Sequence, residues 1–416
     1  MTIRCYSSRM VFSFHHAAHS WRGSMLTEFG ITNFRKFSQL HVTNLSKLNL
    51  FFGVNNVGKT SMLEAVFLYA CGANVSPFLN YILPHRIKEN NNFKISSPYQ
   101  VAELVLNTFH DTTAEKGMQF SFSGRINDEA VDVNYTFQPD QIFADLIPNE
   151  MGIFEAGDLG QKQPELHIEI PMGPQGLTIP IRKISMGKWT VTTTKDAPMT
   201  FAMEYPDFFQ SSFSKKPLIS AKIDDILAHQ NEVENKKIYA ALSRLRLLDK
   251  IVDEMNRSFV GLGLDSIENI PYPDGSEATL SCRFQDKRIL PLYMLGDGVR
   301  RWFNIIGNMA VYQRAIHCIE EIDVNFHHDS QRELSLQLYQ YAKIFHNQIF
   351  TTSHSEEFLY AFLTAIRDKD EMEHTNALTD EVRVITLRNV DQIVKARTLN
   401  GTEALEALDN GLELRV

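Results

Sequence analysis

The sequence has few cysteines and no long apolar run. Four cysteines occur in 416 residues, they are widely separated, and no two of them form a C-x-x-C pair. This distribution argues against a disulfide framework and against a cysteine-based zinc site, and it favours a reducing cytoplasm. No apolar segment approaches the roughly 20 residues that a membrane-spanning helix needs. We therefore expect a cytoplasmic protein without a membrane partner.

The chain also lacks an excess of positive charge. Its formal net charge is −9, with 44% hydrophobic and 22% charged residues. A surface devoted to nucleic acid is usually basic, so any contact with DNA has to come from a local patch. The length allows two or three globular domains with a large core. No internal repeat is visible in the sequence.

The most informative segment is Gly53–Thr60, which reads G-V-N-N-V-G-K-T and matches the pattern G-x-x-x-x-G-K-[ST]. It lies between a predicted buried strand, Lys47–Phe52, and a predicted helix with an apolar stripe, Ser61–Tyr69. Such a loop turns its N–H groups toward a polyphosphate at the positive end of the helix. Its lysine reaches the β- and γ-phosphates, and its threonine hydroxyl holds Mg²⁺. The alternative is a fortuitous Gly-rich turn, which the flanking strand and helix argue against.

Two later segments supply the groups that a phosphate loop needs. Ala315–Asp323 is an apolar strand that ends in adjacent carboxylates. At this strand end Glu320 is expected to hold the Mg²⁺ shell, and Glu321 to orient and deprotonate the attacking water. Asn347–Ser355 is a second buried strand, and it ends in a polar cluster with His354. This histidine is expected to contact the γ-phosphate, although a lone histidine at a strand end is often only a structural hydrogen-bonding group.

A Gly-rich turn, Met294–Arg301, opens a predicted helix just upstream of the acidic strand. The N–H groups of a helix N-terminus form an anion site. A Gly-Asp-Gly sequence alone indicates only a turn. Its position before the acidic strand suggests a signature motif that closes over the nucleotide of a partner subunit.

Together these motifs resemble the RecF/OLD/SMC branch of ABC-type ATPases, over about residues 26–416. The segments that carry the resemblance are Ile31–Arg35 (first strand, leading to the adenine), Leu295–Gly298 (signature turn), Ile319–Asp323 with Phe326 and His327 (acidic strand), and Thr352–Ser355 (switch histidine). The resemblance implies ATPase activity with ATP and Mg²⁺ as cofactors. It also implies a homodimer or higher homo-oligomer that sandwiches the nucleotides.

The resemblance assigns roles to individual residues. Lys59, Glu321 and His354 are the implied catalytic residues, and Thr60 and Glu320 are the implied metal ligands. The implied nucleotide-binding residues are Asn33, Arg35, Gly53, Asn55, Asn56, Gly58, Lys59, Thr60, Ser61, Gly296, Asp297 and Gly298. Glu320 stands where most ABC proteins have aspartate, although OLD-type members also use glutamate. Gln100 and Gln138 are candidates for the family's lid glutamine.

The predicted fold is α/β: a P-loop NTPase of ABC/RecF type, with a central mixed sheet flanked by helices, a β-rich lobe and a helical insertion. The predicted divisions are a tail (1–25), an N-terminal ATPase lobe (26–205), a helical insertion (206–262) and a C-terminal ATPase lobe (263–416). The acid-free first 24 residues suit a targeting peptide, a disordered tail or an upstream start before Met25; we favour the last two.

Local patterns predict the elements within these divisions. Alternating apolar residues over 118–137 predict a β-hairpin or meander that turns at 126–129. Helical spacing over 221–260 predicts one long helix or a helical pair, whose charged face is either solvated or an arm that binds DNA or a partner. A further helix is predicted from Gly298 to Arg314. Short strands are predicted at 166–170, 177–184, 188–194, 266–272, 278–284 and 289–292.

The predicted function is an ATP-driven dimeric switch in anti-phage defence or DNA repair, with a separately encoded nuclease or toxin as effector. No Toprim nuclease module is recognised, since Asp368–Asp370 is interpreted as a solvated helix end. The first alternative is a non-hydrolysing nucleotide-gated scaffold or DNA-binding clamp, which the pair Glu320 and Glu321 disfavours. The second is a self-contained nuclease, for which no separate carboxylate cluster is found. DNA is left open as a partner.

Overall fold

A computed structural model describes residues 25–74, 104–112, 118–140, 184–205, 216–271 and 278–414, with the isolated positions 77, 78, 82 and 102. The strands are β1 (Leu26–Phe34), β2 (Phe37–Val42), β3 (Leu48–Phe52), β4 (Gln119–Ile126), β5 (Glu129–Pro139), β6 (Ile184–Thr193), β7 (Met199–Tyr205), β8 (Ala221–Asp224), β9 (Leu264–Ile270), β10 (Thr279–Phe284), β11 (Ile289–Pro291), β12 (Ile316–Ile319), β13 (Gln348–Ser353), β14 (Val382–Val390) and β15 (Ile393–Asn400). The α-helices are α1 (Lys59–Cys71), α2 (Glu232–Arg244), α3 (Leu248–Ser258), α4 (Asp297–Val311), α5 (His328–Ile344), α6 (Glu356–Glu373), α7 (Ala377–Glu381) and α8 (Gly401–Asp409). The predicted strand at 166–170, and nearly all of that at 177–184, lie outside the described residues.

The central sheet has the strand order β15-β14-β3-β13-β12-β8. All neighbours in it are parallel except the hairpin β14–β15, so the predicted central mixed sheet is confirmed. Strand β3 is buried throughout; Leu48, Leu50 and Phe52 join one hydrophobic cluster and Phe51 joins another. Because successive side chains of a strand point to opposite faces, this sheet is covered on both sides. Because β3, β8, β12, β13 and β14 run in the same direction, their carboxyl ends lie at one edge of the sheet.

A second six-stranded sheet, with the order β2-β1-β4-β5-β6-β7, is antiparallel throughout. It contains the predicted hairpin, with Ile126 paired to Glu129. The turn residues Asn127 and Asp128 have φ values of 49° and 69°, as two-residue hairpins require. This sheet is the predicted β-rich lobe. Its buried aromatic cluster includes Phe120 and Tyr135, whose rings stack at 4.7 Å.

Helix α1 lies between the two large sheets. It contacts β8, β12 and β13 of the central sheet, and β1 and β4 of the antiparallel sheet. All of its residues are buried except Thr60. The predicted apolar stripe is therefore too narrow a description, because a helix enclosed on every side is apolar nearly all round. This enclosure fixes the phosphate-loop helix against both sheets.

The region 221–260 differs from its prediction at its beginning. Residues 221–224 form β8, an edge strand paired in parallel with β12, from Ala221 opposite Ile316 to Asp224 opposite Ile319. The helical spacing of the apolar residues continues into this strand by coincidence, and sheet pairing overrides it. The remainder is the predicted helical pair, α2 and α3. Helix α2 packs closely on α4, where a Cβ added to Gly307 would lie 2.3 Å from Ile238 Cγ2.

The remaining predicted elements are present with small shifts. Strands β9, β10 and β11 form a three-stranded antiparallel sheet, and α4 is the predicted helix after the Gly-rich turn. The interpretation of Asp368–Asp370 as a solvated helix end is wrong for Asp370. This residue is buried in α6, and its carboxylate accepts the backbone N–H groups of Ala377 and Leu378 at 3.0 and 2.7 Å. It thus caps the beginning of α7.

The described residues include three of the four cysteines. Cys71, Cys282 and Cys318 are buried, free thiols. Within the described ranges, no helix combines the length and the apolar character that crossing a bilayer demands.

Candidate functional site

Three of the predicted nucleotide motifs, the phosphate loop, the two glutamates and His354, follow the ends of neighbouring parallel strands. Phe52 at the end of β3 pairs with Ser353 at the end of β13, and Thr351 of β13 pairs with Ile319 at the end of β12. The phosphate loop, the two glutamates and His354 follow these strand ends. The topology therefore brings them to one edge of the central sheet, where parallel α/β sheets place their ligands.

The two glycines of the phosphate loop are required by its conformation. Gly53 has a φ of 154°, and a Cβ on it would lie 2.7 Å from the carbonyl oxygen of Leu387. Gly58 has a φ of 109°, and its Cβ would lie 3.0 Å from Phe37 Cζ. Residues with a side chain rarely adopt such φ values, and a Cβ at either position would lie too close to its neighbour. The loop conformation thus needs glycine at both ends of the motif.

Lysine and asparagine side chains complete the loop. The Lys59 ammonium group donates to the carbonyl oxygens of Gly53 and Val54, at 2.7 and 2.9 Å, so it lies across the loop. Asn55 and Asn56 are exposed at the tip, and Asn56 has a φ of 62°. The side chain of the lysine is therefore held where a bound phosphate chain would lie in such a loop.

The N-terminus of α1 is open to an anion. Gly58 at the N-cap has no side chain, and the first turn contains no acidic residue. The first N–H groups of a helix lack partners within the helix, and they attract negative charge. Ser61 is buried in this first turn. The end of the helix thus supplies the backbone half of a phosphate site.

Thr60 and Glu320, the two predicted metal ligands, are in direct contact. The Thr60 hydroxyl donates to Glu320 Oε1 although the residues are 260 positions apart in the sequence. A hydroxyl and a carboxylate are hard oxygen donors, which suit Mg²⁺ with its remaining positions filled by water and phosphate. The residues present therefore fit the ion that the motifs imply.

Glu321 has a constrained backbone. Its φ of 42° lies in the left-handed region, which residues other than glycine adopt rarely. Its N–H donates to the Thr352 hydroxyl at 2.8 Å, and its carbonyl oxygen accepts from Arg301 Nη2 at 2.8 Å. The same Arg301 nitrogen donates to the carbonyl oxygen of Glu320 at 2.5 Å. Both predicted acidic residues are thus held through their main chain.

Arg301 and Asp224 lie beside these glutamates, and neither has a role predicted from the sequence. Burial lowers the pKa of Arg301, while nearby acidic residues, Asp323 first among them, oppose this effect. Burial raises the pKa of Asp224 to about 6, against the effect of Lys222. The carbonyl oxygen of Asp224 accepts the N–H of Glu320 at 3.0 Å. An arginine on a helix is normally assigned to solvent, and its bonds to carbonyl oxygens leave no pattern in the sequence.

His354 follows β13 and is partly exposed. Among the described residues its Nδ1 is buried and has no hydrogen-bond partner. Ser355 begins α6, where its hydroxyl accepts the N–H of Phe358 at 3.1 Å. The histidine is therefore placed by a strand end and a capped helix start. Its proposed role toward the γ-phosphate stays a prediction.

The signature turn precedes α4. Gly296 is exposed, and a Cβ added to it would have no atom of the described residues within 4 Å, its chain neighbours aside. A Cβ on Gly298, in contrast, would lie 2.4 Å from the carbonyl oxygen of Asn325. Asp297 pairs with Arg300, which lowers the pKa of the aspartate, and lies 3.4 Å from the imidazole of His229. Gly298 is thus a glycine because of its own chain, whereas Gly296 faces open space.

The two residues predicted near the adenine are engaged elsewhere in the chain. The Asn33 amide donates to the carbonyl oxygens of Asp111 and Gln119, both at 2.8 Å, and its oxygen accepts the Asp111 N–H at 2.7 Å. Arg35 forms a nearly buried ion pair with Glu64 of α1, at 2.7 Å. The Arg35–Glu64 pair ties the β1–β2 turn to the phosphate-loop helix, whereas the Asn33 bonds tie the end of β1 to residues 111 and 119. Contact of either residue with a nucleotide stays a prediction.

The candidates for the lid glutamine also stay predictions. Gln100 lies outside the described residues. Gln138 is exposed on β5.

Comparison with known proteins supports an ATPase. Residues 209–359 match the family model described as "AAA ATPase domain". This match includes the signature turn, the two glutamates and His354. A curated "ATP/GTP phosphatase" of Helicobacter pylori (strain ATCC 700392 / 26695) is 22% identical over 393 residues, which are 91% of this chain and 96% of that protein.

Solved structures of SMC heads are also similar at low identity. The "SMC head domain from Thermotoga maritima" is 11% identical, with a TM-score of 0.41, and covers 90% of this chain and 99% of its own. An SMC head domain with an extended coiled coil, bound to the C-terminal domain of ScpA and derived from Pyrococcus furiosus, is 9% identical, with a TM-score of 0.45, and covers 93% and 99%. The predicted ATPase is confirmed by the match of residues 209–359, and the fold is α/β with a phosphate loop.

Proposed function

We propose that this chain binds and hydrolyses ATP as a nucleotide-gated dimeric switch. The observation that carries the proposal is the contact between Thr60 and Glu320, with Glu321 as the next residue. A hydroxyl from the phosphate loop and a carboxylate from a different strand meet there. This is the arrangement that phosphoryl transfer to water requires.

The residues of the site divide the reaction between them. Lys59 and the open N–H groups of α1 bind the β- and γ-phosphates and neutralise their charge. Thr60 and Glu320 hold Mg²⁺, which when bound stabilises the charge that develops on the phosphate oxygens. Glu321 accepts a proton from a water molecule as the oxygen of that water attacks the γ-phosphorus. The bond from that phosphorus to the β-phosphate oxygen breaks, which leaves ADP and phosphate.

The dimer is proposed from the signature turn. Gly296 lies in open space at the uncapped N-terminus of α4, and Tyr293 and Met294 are exposed beside it. An exposed helix N-terminus attracts phosphate, and exposed apolar side chains favour a protein contact. We place the nucleotide of a second subunit against this turn. Closure of the two subunits then depends on bound ATP.

The biological setting is proposed from the resemblance to RecF/OLD-type ATPases. We place the switch in anti-phage defence or DNA repair, in the cytoplasm, with a separately encoded nuclease or toxin as effector. The name of the Helicobacter pylori relative includes GTP, so GTP belongs in the same assays as ATP. A DNA contact is one outcome to be measured in the presence and absence of nucleotide.

The test of nucleotide use is Lys59→Ala. Loss of the ammonium group should abolish ATP hydrolysis or binding, because this group neutralises the phosphates, while the buried α1 keeps the fold intact. Turnover of ATP and GTP, nucleotide affinity and thermal unfolding are measured together. Lys395→Ala, at an exposed position on β15, is the control and should retain full turnover. Unchanged turnover in Lys59→Ala would contradict the assignment, and binding without turnover in the wild type would favour a non-hydrolysing scaffold or clamp.

A further inference from the structure

Arg301 joins the signature helix to the acidic strand. It lies one turn into α4, after the signature turn, and only 2% of its surface is exposed. Its Nη2 donates to the carbonyl oxygens of both Glu320 and Glu321, at 2.5 and 2.8 Å. A buried guanidinium needs compensating partners, and here the acidic side chains of residues 224, 320, 321 and 323 all act on its charge. The contact is therefore a specific one between two motifs of the site.

The backbone of Glu321 depends on contacts from both sides. Its left-handed φ of 42° persists only where the surroundings hold it. On one side its N–H bonds the Thr352 hydroxyl of β13, and on the other its carbonyl oxygen bonds Arg301 of α4. The direction of a side chain follows from its backbone. The carboxylate of Glu321 is thus aimed by Thr352 and Arg301 together.

A second contact ties the same two segments. The Cα of Gly298 lies so close to the loop after Glu321 that a Cβ would be 2.4 Å from the carbonyl oxygen of Asn325. Gly298 and Arg301 are both in the first turns of α4. The beginning of this helix is therefore packed against the loop 320–325, and a shift of one strains the other.

We infer that Arg301 is a positioning residue for hydrolysis, which aims the Glu321 carboxylate and links it to the signature turn. The inference rests on the proposed function. A nucleotide that binds against Gly296 acts on the N-terminus of α4, and the helix carries this displacement over one turn to Arg301. The guanidinium passes it to the main chain of Glu321. The position of α4 thereby adjusts, without switching off, hydrolysis at the Glu321 of the same chain.

The test compares Arg301→Gln and Arg301→Lys with the wild type. Arg301→Gln should lower kcat on the order of 10²-fold, the effect of a misplaced reacting group, with the affinity for ATP changed by less than about threefold. Arg301→Lys keeps the charge and its N–H donors, so it should recover part of kcat with an unchanged melting temperature. Arg367→Gln, a partly exposed arginine paired with Asp368, is the matched control and should retain wild-type kcat.

A double variant separates positioning from a structural role. If Arg301 acts through Glu321, Arg301→Gln should slow Glu321→Gln little or not at all. If Arg301→Gln lowers kcat by the same factor in the wild type and in Glu321→Gln, the inference is overturned. So would a weakened ATP affinity together with a lowered melting temperature in both Arg301 variants. If Glu321→Gln itself turns over at the wild-type rate, the proposed function has failed, and that result is distinct from normal turnover in the Arg301 variants alone.

Discussion

Replacing Gly296 with arginine tests whether the signature turn serves a second subunit. The backbone at this position has φ −57° and ψ 148°, which any residue adopts, and within the part of the chain that the structure describes no atom beyond its chain neighbours lies within 4 Å of an added Cβ. The free energy of unfolding should therefore change by no more than about 0.5 kcal/mol, as at other open surface positions. ATP binding to the isolated chain should also persist, because Lys59 and Thr60 are untouched. The long arginine side chain should keep the turn away from the nucleotide of a partner subunit, so the two subunits should no longer close.

Gly298 is the weaker probe, although it belongs to the same predicted signature turn. A Cβ there meets the carbonyl oxygen of Asn325 at 2.4 Å, closer than such atoms approach in proteins. Gly298→Arg should therefore lose about 1–3 kcal/mol of stability by overpacking, in addition to any effect on closure. A loss of activity in that variant would not identify its cause. Gly296→Arg avoids this ambiguity because its environment in one chain is empty.

A mixing assay makes the Gly296→Arg result decisive. Neither Gly296→Arg nor Lys59→Ala homodimers contain an intact composite site, whereas a mixed dimer contains one. With equal, random pairing of a symmetric dimer, the mixture should recover about a quarter of wild-type ATPase activity per subunit. Turnover, ATP affinity and unfolding are measured on each variant and on the mixture. Loss of ATP binding in Gly296→Arg alone, or no recovery on mixing, would refute the two-subunit site.

Three further predictions concern catalysis, folding and pH. Glu321→Gln should bind ATP, lose about 10²–10⁴-fold in kcat by removal of the general base, and accumulate an ATP-dependent dimer in size-exclusion chromatography; a monomer at every ATP concentration would count against the switch. Gly53→Ala should lose about 1–3 kcal/mol in urea unfolding, because a Cβ would lie 2.7 Å from the Leu387 carbonyl oxygen, whereas Gly296→Ala should unfold like the wild type. Burial lowers the pKa of His317 to about 4, so its neutral form contributes stability that is complete above about pH 6.5 and is lost as the pH falls toward 4. Between those pH values the free energy of unfolding, measured by urea titration, should therefore fall by about 3 kcal/mol less in His317→Gln than in the wild type. An equal fall in both proteins would refute a lowered His317 pKa as its cause.

The sequence predicts the elements that carry a local pattern. The phosphate loop, its strand and its helix, the acidic strand and the hairpin at 118–137 all follow from residue spacing, and the structure contains each of them. Their meeting at one sheet edge also follows, because parallel strands place their carboxyl ends together. The match of residues 209–359 to an ATPase domain agrees with the predicted ATPase.

The remainder depends on contacts that have no local pattern. Residues 221–224 continue a helical spacing, yet pairing with β12 makes them a strand. Gly298 shows no sign in the sequence of its neighbour Asn325, so its close packing within the chain could not be predicted. Arg301 bonds only main-chain oxygens at the acidic strand, and such partners carry no side-chain identity that a sequence can reveal.

The enclosure of α1 by two sheets has a consequence for local opening of the chain. The interior amides of α1 are hydrogen-bonded and lie between the two sheets, so the sheets must separate before these amides meet solvent. Their hydrogen exchange should therefore be among the slowest in the molecule. Its first amides, at the open end beside Gly58, have no helical partner and should exchange quickly. Nucleotide binding should slow exchange at that end and leave the interior unchanged. The helix thus acts as an immobile anchor, and the motion of the site is left to the loops and to α4.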